Sequence, residues 1–341
     1  MTRQTVAMVH RSAHSCIAAV FLLAAGITAC GSPPRTVHPA VVPAAAAVPP
    51  LQSAGDATEP GLRLSFANQR YRSQIFASAS SSTAVYASPP DLITAIATPL
   101  SLDVYQPVGD SSTSRPLLVW VHGGGFAYGN RGGSAGEAND YARLGYVTAS
   151  IDYRLDPGNH CLQVQAGLYT GDQLVQERAR CSRAIVAARD DAATAIAWLR
   201  AHAATYGIDV TRVAVGGDSA GAITAIHVGE TLNAPGSPPP TDVAVRAVLA
   251  MSGCNYLADA DPAWAIDSFD APIAVSASGG DPLVPFSCSI ATVDAAAAVG
   301  TPVVRNYYAL ENSHAQSLYY AHRAEIERSW RAFLVEHLGL A

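Results

Sequence analysis

A serine lies between glycines in the segment GDSAG at 217–221. The apolar, β-branched stretch 212–215 precedes this segment, and residues 222–230 follow it with a helical pattern. The order of strand, G-x-S-x-G and helix is typical of a nucleophile elbow, a sharp turn that presents the serine hydroxyl beside a helix N-terminus. A plain Gly/Ser loop is the alternative interpretation. The order of elements favours Ser219 as a nucleophile.

A serine hydroxyl needs a base, and that base needs a carboxylate to set its tautomer. Asp281 follows the predicted strand 272–277, and His314 follows the predicted strand 302–308. Working residues of doubly wound sheets lie at the carboxyl ends of the strands, so all three side chains are expected at one edge of the sheet. We predict that His314 is the base and that Asp281 is the acid that orients it.

Other acids and histidines compete for these two roles. Asp281 precedes a proline and could simply form a turn. Asp218, beside the nucleophile, is expected to support the elbow. The competing aspartates all precede the strand that Asp281 follows, and the competing histidines lie either before the acid or inside the predicted C-terminal helix. These rivals are Asp259, Asp261, Asp267 and Asp270, and His160, His202, His227, His322 and His337.

A glycine cluster, HGGGF at 122–126, follows the apolar run 117–121. Glycines cost backbone entropy, and one use for them is to let N–H groups approach a bound oxyanion. Each such donor contributes roughly 3 to 4 kcal/mol to acyl transfer. We predict an oxyanion hole made by the N–H groups of Gly124, Gly125 and Ala220, with His122 shaping the loop. A phosphate-binding loop or a plain turn is the alternative.

The elements that would position these residues alternate between strands and helices. The helix predicted at 183–206 has an apolar stripe and leads into the strand before Ser219, which makes a parallel βαβ unit. Weaker patterns at 70–77, 82–87 and 100–105 predict an antiparallel edge. The expected fold class is α/β, with a mostly parallel central sheet and helices on both faces. Further strands are predicted at 117–121, 146–153, 244–251, 272–277 and 302–308, and further helices at 137–144, 222–230 and 317–338.

Residues 155–182 show no clear period, and a loop of this length in a compact domain is usually functional. We predict a small lid or insert near 155–182 that overhangs the site, with a surface excursion away from the substrate as the alternative. Apart from Cys16 and Cys30 in the N-terminal segment, the chain has four cysteines, which allow three pairings; free thiols are the alternative. Proximity in the chain favours Cys161–Cys181 and Cys254–Cys288. No CxxC or HExxH spacing is present, so no metal site is predicted.

The first 60 residues are predicted to direct export and not to fold. A basic start, an apolar run at 16–26 and the ending ITAC at 27–30 indicate a signal peptide over 1–29. The apolar run is too short for a membrane span. The ending resembles a bacterial lipobox, so Cys30 is the predicted lipidation site; an ordinary signal peptide is the alternative. The Pro- and Ala-rich segment 30–60 is predicted to be a tether, and 61–341 the catalytic domain. This organisation implies an outward-facing envelope lipoprotein held at the membrane by its N-terminal lipid.

Composition excludes several classes of function. The formal net charge of −6 gives no reason to expect a nucleic-acid partner. All 21 basic residues are arginines. The absence of lysine excludes a Ser–Lys dyad, a P-loop lysine and a pyridoxal Schiff base. The length of 341 residues suits one large α/β domain beside the N-terminal segments.

Together these motifs resemble the α/β-hydrolase esterases and lipases that carry an HGGG loop and a GDSAG elbow. More narrowly, the chain resembles bacterial carboxylesterases that group with acetyl-xylan and feruloyl esterases. It departs from hormone-sensitive-lipase-type esterases at 156–158, where Asp-Pro-Gly replaces the usual Ala-Pro-Glu. Ala315 follows His314 where both groups commonly have glycine. The matching segments are LDVYQP at 102–107, HGGGF at 122–126, DYRL at 152–155, GGDSAG at 216–221, Asp281 with Val284-Pro285, and His314.

The resemblance implies an α/β-hydrolase fold and acyl transfer on a small-molecule ester, without a cofactor. Ser219 would attack the ester carbonyl, His314 would move the proton, and water would hydrolyse the acyl-enzyme. Short acyl or aryl esters are the expected substrates. A lipase, thioesterase or peptidase with the same triad is the alternative among enzymes. A non-catalytic, surface-anchored binding protein on a hydrolase fold is the alternative outside them.

Overall fold

The computed structural model describes residues 69–233, 235–257 and 264–340. The predicted signal peptide 1–29, Cys30 and the tether 30–60 lie outside these ranges, as does the predicted start of the catalytic domain at 61. Within the described ranges, no helix combines the length and the apolar character needed to cross a membrane.

Eight strands of the described chain form one sheet. They are β1 Ala79–Ala87, β2 Leu100–Pro107, β3 Arg115–Val121, β4 Val147–Ile151, β5 Ile208–Asp218, β6 Ala247–Met251, β7 Ile273–Ser278 and β8 Val303–Tyr308. Their order across the sheet is β1-β2-β4-β3-β5-β6-β7-β8. The pairs β1–β2 and β2–β4 are antiparallel, and every later pair is parallel. The predicted antiparallel edge beside a parallel centre is therefore confirmed.

The helices that connect the strands lie on both faces of the sheet. They are α1 Ala135–Ala142, α2 His160–Gln165, α3 Gly171–Ala201, α4 Ala203–Tyr206, α5 Ala220–Glu230, α6 Phe286–Ala298, α7 Gln316–Ala321 and α8 Arg323–His337, with a 3₁₀ turn at Arg131–Ser134 before α1.

The strand β3 shows how the two faces are filled. All of its residues are buried, as expected for a continuous apolar run in a central parallel strand. Because side chains alternate along a strand, Val119 and Val121 join the apolar cluster that also contains residues of α3 and α5. Trp120 points to the opposite cluster, where its ring lies 5.3 Å from Tyr141 of α1 and 6.2 Å from Trp330 of α8. The nucleophile strand β5 lies directly beside β3.

Most predicted elements differ from the observed ones by a few residues at their ends, and two predicted helices differ more. The helix predicted at 183–206 begins at Gly171 and ends at Ala201. Most side chains at 171–180 are exposed, so no apolar stripe marks this part of the helix in the sequence. The insert predicted at 155–182 is accordingly shorter, a loop and the helix α2, because residues 171–182 belong to α3. The C-terminal helix predicted at 317–338 is two helices that meet at His322, whose ring stacks on Tyr308.

The strand predicted at 70–77 is wrong. This segment begins with a turn, in which the N–H groups of Arg72 and Ser73 donate to the Gln69 carbonyl. The N–H groups of Ile75 and Phe76 then donate to the carbonyl of Arg143, just after α1. The apolar residues that suggested a strand therefore lie against the end of a helix, not beside another strand.

Candidate active site

Ser219 lies at the tight junction between β5 and α5. Its backbone has φ 52° and ψ −120°, a strained combination for a residue with a side chain. The Ser219 N–H donates to the Met251 carbonyl at the end of β6, at 2.9 Å. A Cβ atom on Gly221 would lie 2.0 Å from the Val121 carbonyl oxygen. Only glycine at 221 therefore lets α5 pass the end of β3 closely enough to hold the strained turn.

His314 lies in the loop between β8 and α7 and contacts both of its predicted partners. Its Nδ1 is 2.8 Å from each carboxylate oxygen of Asp281, and its Nε2 is 2.8 Å from the Ser219 hydroxyl oxygen. A carboxylate can only accept hydrogen bonds, so Nδ1 carries the proton and Nε2 is free to accept from Ser219. The structure thus brings together the three residues in the order that base-assisted nucleophilic attack requires.

Asp281 follows β7, and its side chain is only 2% exposed. The N–H groups of Leu283 and Val284 each donate to its Oδ1 at 2.9 Å. Burial acts to raise the pKa of Asp281, but the hydrogen bonds from His314 and the two backbone N–H groups outweigh it, so the pKa lies below its usual value. Asp281 is therefore a carboxylate at neutral pH and favours a positive charge on His314.

The glycine loop after β3 abuts the nucleophile. A Cβ atom on Gly123 would lie 3.2 Å from the Ser219 Cβ. Gly124 and Gly125 have φ of 122° and 62°, and the Gly124 carbonyl accepts from two residues further along the loop. Among the described residues, the N–H groups of Gly124, Gly125 and Ala220 donate no hydrogen bond within the protein. Ala220 is the first residue of α5, where a free N–H is expected. Three donors thus remain available beside Ser219 for a developing negative charge.

The neighbours Asp218 and His122 shape this loop. Asp218 accepts the Gly123 N–H at 3.1 Å, and burial together with the charge of Glu137 raises the pKa of Asp218 to about 6. The His122 ring stacks on Tyr153, and its Nδ1 donates to the Gly123 carbonyl at 2.7 Å. Burial lowers the pKa of His122, which keeps the ring neutral. Both side chains contact the loop backbone, as expected for supporting residues.

Two serines that the sequence analysis did not single out hold the loop that carries His314. The Ser252 hydroxyl accepts the Ala315 N–H at 2.9 Å, and the Ser278 hydroxyl donates to the Ser313 carbonyl at 2.6 Å. Ser278 ends β7 and Ser252 directly follows β6, so both lie at the same sheet edge as the triad. That position, immediately at the end of a predicted strand, is the signal that could have identified them.

The competing residues have other partners. The Asp267 and Asp270 carboxylates accept backbone N–H groups in the turns before β7. His160 lies between the carboxylates of Asp156 and Glu177. Within the described part of the chain, none of the rival histidines hydrogen-bonds Ser219. Of the remaining histidines, His202 bonds the Trp198 carbonyl, His322 lies near Glu311 and His227 is fully buried. Asp259 and Asp261 lie outside the described residues.

Both disulfides that chain proximity favoured are present, joining Cys161 to Cys181 and Cys254 to Cys288. The first fastens α2 to α3. The side chains of α2 and its neighbours cover a cavity of about 30 Å³ beside Ser219. The insert therefore overhangs the nucleophile. The residues that line this cavity are Gly125, Phe126, Cys161, Leu162, Gln165, Cys181, Ile185, Ser219, Ala220, Ile223, Tyr256, Leu283 and Val284.

Sequence families and solved structures agree with this architecture. A family described as alpha/beta hydrolase fold matches residues 174–271, and a family described as BD-FAE matches residues 102–163. The structure of Thermogutta terrifontis esterase 2 phosphorylated by paraoxon matches with a TM-score of 0.56 at 18% identity, covering 75% of this chain and 94% of that one. The chain has the α/β-hydrolase fold. The fold class predicted from the sequence is therefore confirmed.

Curated relatives match shorter parts of this chain. Esterase LipI of Mycobacterium tuberculosis is 28% identical over 143 residues, which are 41% of this chain and 37% of that protein. Phenmedipham hydrolase of Pseudarthrobacter oxydans is 36% identical over 125 residues, 36% of this chain and 21% of that protein. The matched stretches thus span well under two thirds of the length of these relatives.

Ala315, the residue at which the chain departs from the glycine of similar esterases, has φ 48° and ψ −117°. Such backbone costs a residue with a Cβ about 1–3 kcal/mol, whereas the extra freedom of glycine in the unfolded chain costs about 0.5–1 kcal/mol. We expect Ala315→Gly to raise the free energy of unfolding by about 1 kcal/mol, measured by urea denaturation. Ala295→Gly, on the exposed face of α6, is the matched control and should lower it by about 1 kcal/mol. Equal losses in both variants would contradict strain at Ala315.

Proposed function

We propose that this α/β-hydrolase is a serine carboxylester hydrolase. The observation that carries the proposal is the position of His314, at 2.8 Å from both the Ser219 hydroxyl and the Asp281 carboxylate. Free N–H donors beside Ser219 add the second requirement of acyl transfer, which is stabilisation of the oxyanion. Curated relatives named esterase and lipase support the same class of activity.

The proposed reaction passes through an acyl-enzyme. Ser219 Oγ attacks the ester carbonyl carbon while His314 Nε2 takes the hydroxyl proton. The N–H groups of Gly124, Gly125 and Ala220 hold the oxyanion of the tetrahedral intermediate. His314 returns the proton to the leaving alcohol, and water repeats the sequence to release the acid. Asp281 stabilises the imidazolium in both steps, so the chain's own residues supply each proton transfer.

The proposed substrates are small-molecule esters with short acyl or aryl groups, cleaved at the cell envelope. Structures of Thermogutta terrifontis esterase 2 bound to propionate and to butyrate support the short acyl chain. The signal peptide and the lipidation of Cys30 are proposals from the sequence, and they would anchor the enzyme at the membrane with its active site facing outward. Mass analysis of the N-terminal peptide from the membrane fraction tests the anchor, and an unmodified Cys30 would refute it.

The activity is tested by two measurements on the purified full chain. A fluorophosphonate probe should label the protein, and peptide mass spectrometry should locate the label on Ser219. Initial rates should be higher on p-nitrophenyl acetate than on aminoacyl anilides. Faster cleavage of the anilide would identify a peptidase, and a protein that neither takes the label nor cleaves any ester would have a non-catalytic role.

A further inference from the structure

We propose that Leu162, held in place by the Cys161–Cys181 disulfide, closes the acyl pocket and restricts this enzyme to acetyl- and propionyl-sized acyl groups. This inference rests on the proposed ester hydrolase activity and names the determinant of its acyl specificity. It concerns the insert, which lies outside the triad and the oxyanion loop.

The cavity beside Ser219 is very small. Its volume is about 30 Å³, whereas one water molecule already needs about 10–15 Å³ of such space. A methyl or ethyl group on the ester carbonyl can occupy this space. A longer acyl chain must displace a wall, and the walls made by Ile185 of α3 and Ile223 of α5 are almost fully buried in the core. The insert is therefore the part of the wall that can be altered with least damage to the fold.

The cavity lies on the acyl side of the nucleophile. His314 must stand beside the leaving alcohol because it returns the proton to that oxygen. Within the described part of the chain, the residues around the cavity include the oxyanion donors Gly125 and Ala220 but not His314. On this ground we assign the cavity to the acyl group, which remains bonded to Ser219 after the alcohol departs.

Leu162 forms the outer wall of this cavity. A Cβ atom on Gly125 would lie 2.6 Å from the Leu162 Cγ and Cδ1 atoms, so the leucine side chain packs directly over the oxyanion loop. Leu162 is half-buried, whereas the deeper cavity residues are buried. Shortening this side chain should therefore lengthen the cavity toward solvent without removing a core residue.

The disulfide determines where Leu162 lies. The helix α2 has only six residues, too few to be stable without tertiary contacts. Cys161, immediately before Leu162, is bonded to Cys181 on α3, a helix that packs on the sheet. The Asp156 N–H adds a hydrogen bond to the Phe126 carbonyl at 2.7 Å, which ties the start of the insert to the glycine loop. Loss of the disulfide would leave α2 held through that loop and through the contact between His160 and Glu177 of α3.

The first experiment compares Leu162→Ala with Leu168→Ala, a control in the same insert whose side chain is 65% exposed. The readout is the ratio of kcat/KM for p-nitrophenyl hexanoate to kcat/KM for p-nitrophenyl acetate. One methylene in an apolar pocket changes this constant by about tenfold or more, so Leu162→Ala should raise the ratio by at least about tenfold and Leu168→Ala should leave it unchanged. An unchanged ratio in Leu162→Ala, or an equal rise in Leu168→Ala, would overturn the proposal.

The second experiment removes each disulfide in turn. The double variant Cys161→Ala/Cys181→Ala should raise the hexanoate-to-acetate ratio, whereas Cys254→Ala/Cys288→Ala should not, because neither of its cysteines lines the described cavity. Similar shifts in both double variants would refute the role of the first disulfide.

Labelling of wild-type enzyme with the fluorophosphonate probe separates two kinds of failure. A wild-type protein that takes no label would refute the hydrolase activity and this inference with it. A labelled enzyme whose ratio is insensitive to Leu162→Ala would refute only the role of Leu162.

Discussion

Replacement of Ser219 by alanine is expected to lower kcat for p-nitrophenyl acetate by about 10⁶-fold, because no group would remain to form the acyl-enzyme. The hydroxyl oxygen lies 2.8 Å from His314 Nε2, and alanine removes both the nucleophile and this hydrogen bond. Any remaining catalysis would come from the oxyanion donors, which would still stabilise the negative charge that forms when water attacks the ester carbonyl. The measurement is kcat at saturating ester concentration. In the wild type, the fluorophosphonate probe counts the active sites.

The control for this variant is Ser287→Ala, which removes an exposed serine hydroxyl in the first turn of α6. Its rate should equal that of the wild type. Circular dichroism and thermal unfolding should show that Ser219→Ala is folded. A folded Ser219→Ala protein within tenfold of the wild-type rate would mean that another residue is the nucleophile.

The second large effect is expected at Asp281. Asparagine at 281 is neutral, so it cannot favour a positive charge on His314. Its amide N–H can also donate to Nδ1, which would place the ring proton on Nε2 and prevent His314 from accepting the Ser219 proton. Loss of this carboxylate in a triad lowers kcat by about 10⁴-fold, and we expect the same for Asp281→Asn. The asparagine oxygen can still accept the N–H groups of Leu283 and Val284, so the loop should persist.

A matched control is Asp294→Asn, which neutralises a carboxylate of α6 that is 67% exposed. Both variants lose one negative charge, so a general electrostatic effect would appear equally in the two. We expect Asp294→Asn to keep the wild-type kcat. A fall of less than tenfold in Asp281→Asn would show that a different acid orients His314.

The sequence carries enough information to place the triad at one edge of the sheet. Ser219, Asp281 and His314 each follow a strand, and strands that run parallel end at the same edge. Apolar residues mark two of those strands, because β7 and the second half of β5 are buried, whereas β8 is half-buried. Local pattern therefore places each side chain after a strand, and the helices between strands indicate that the strands run parallel.

Other elements leave no such local pattern. The first part of α3 is mostly exposed, so its helix has no apolar stripe at 171–182. Residues 70–77 carry a strand-like pattern, yet the N–H groups of Ile75 and Phe76 bond to Arg143, far along the chain. In both cases the structure depends on contacts that the segment itself does not encode.

Sequence by itself determined which residues can act together: the elbow serine, the glycine loop, and the acid and histidine after later strands. Only the tertiary structure decided their distances and the small volume of the pocket. The orientation of His314 depends on Ser252 and Ser278, which come from two other strand ends. The size of the cavity depends on Leu162, which a disulfide brings over Gly125. The physical reason is that periodicity reports burial within one element, whereas hydrogen-bond geometry and cavity volume arise where several elements meet.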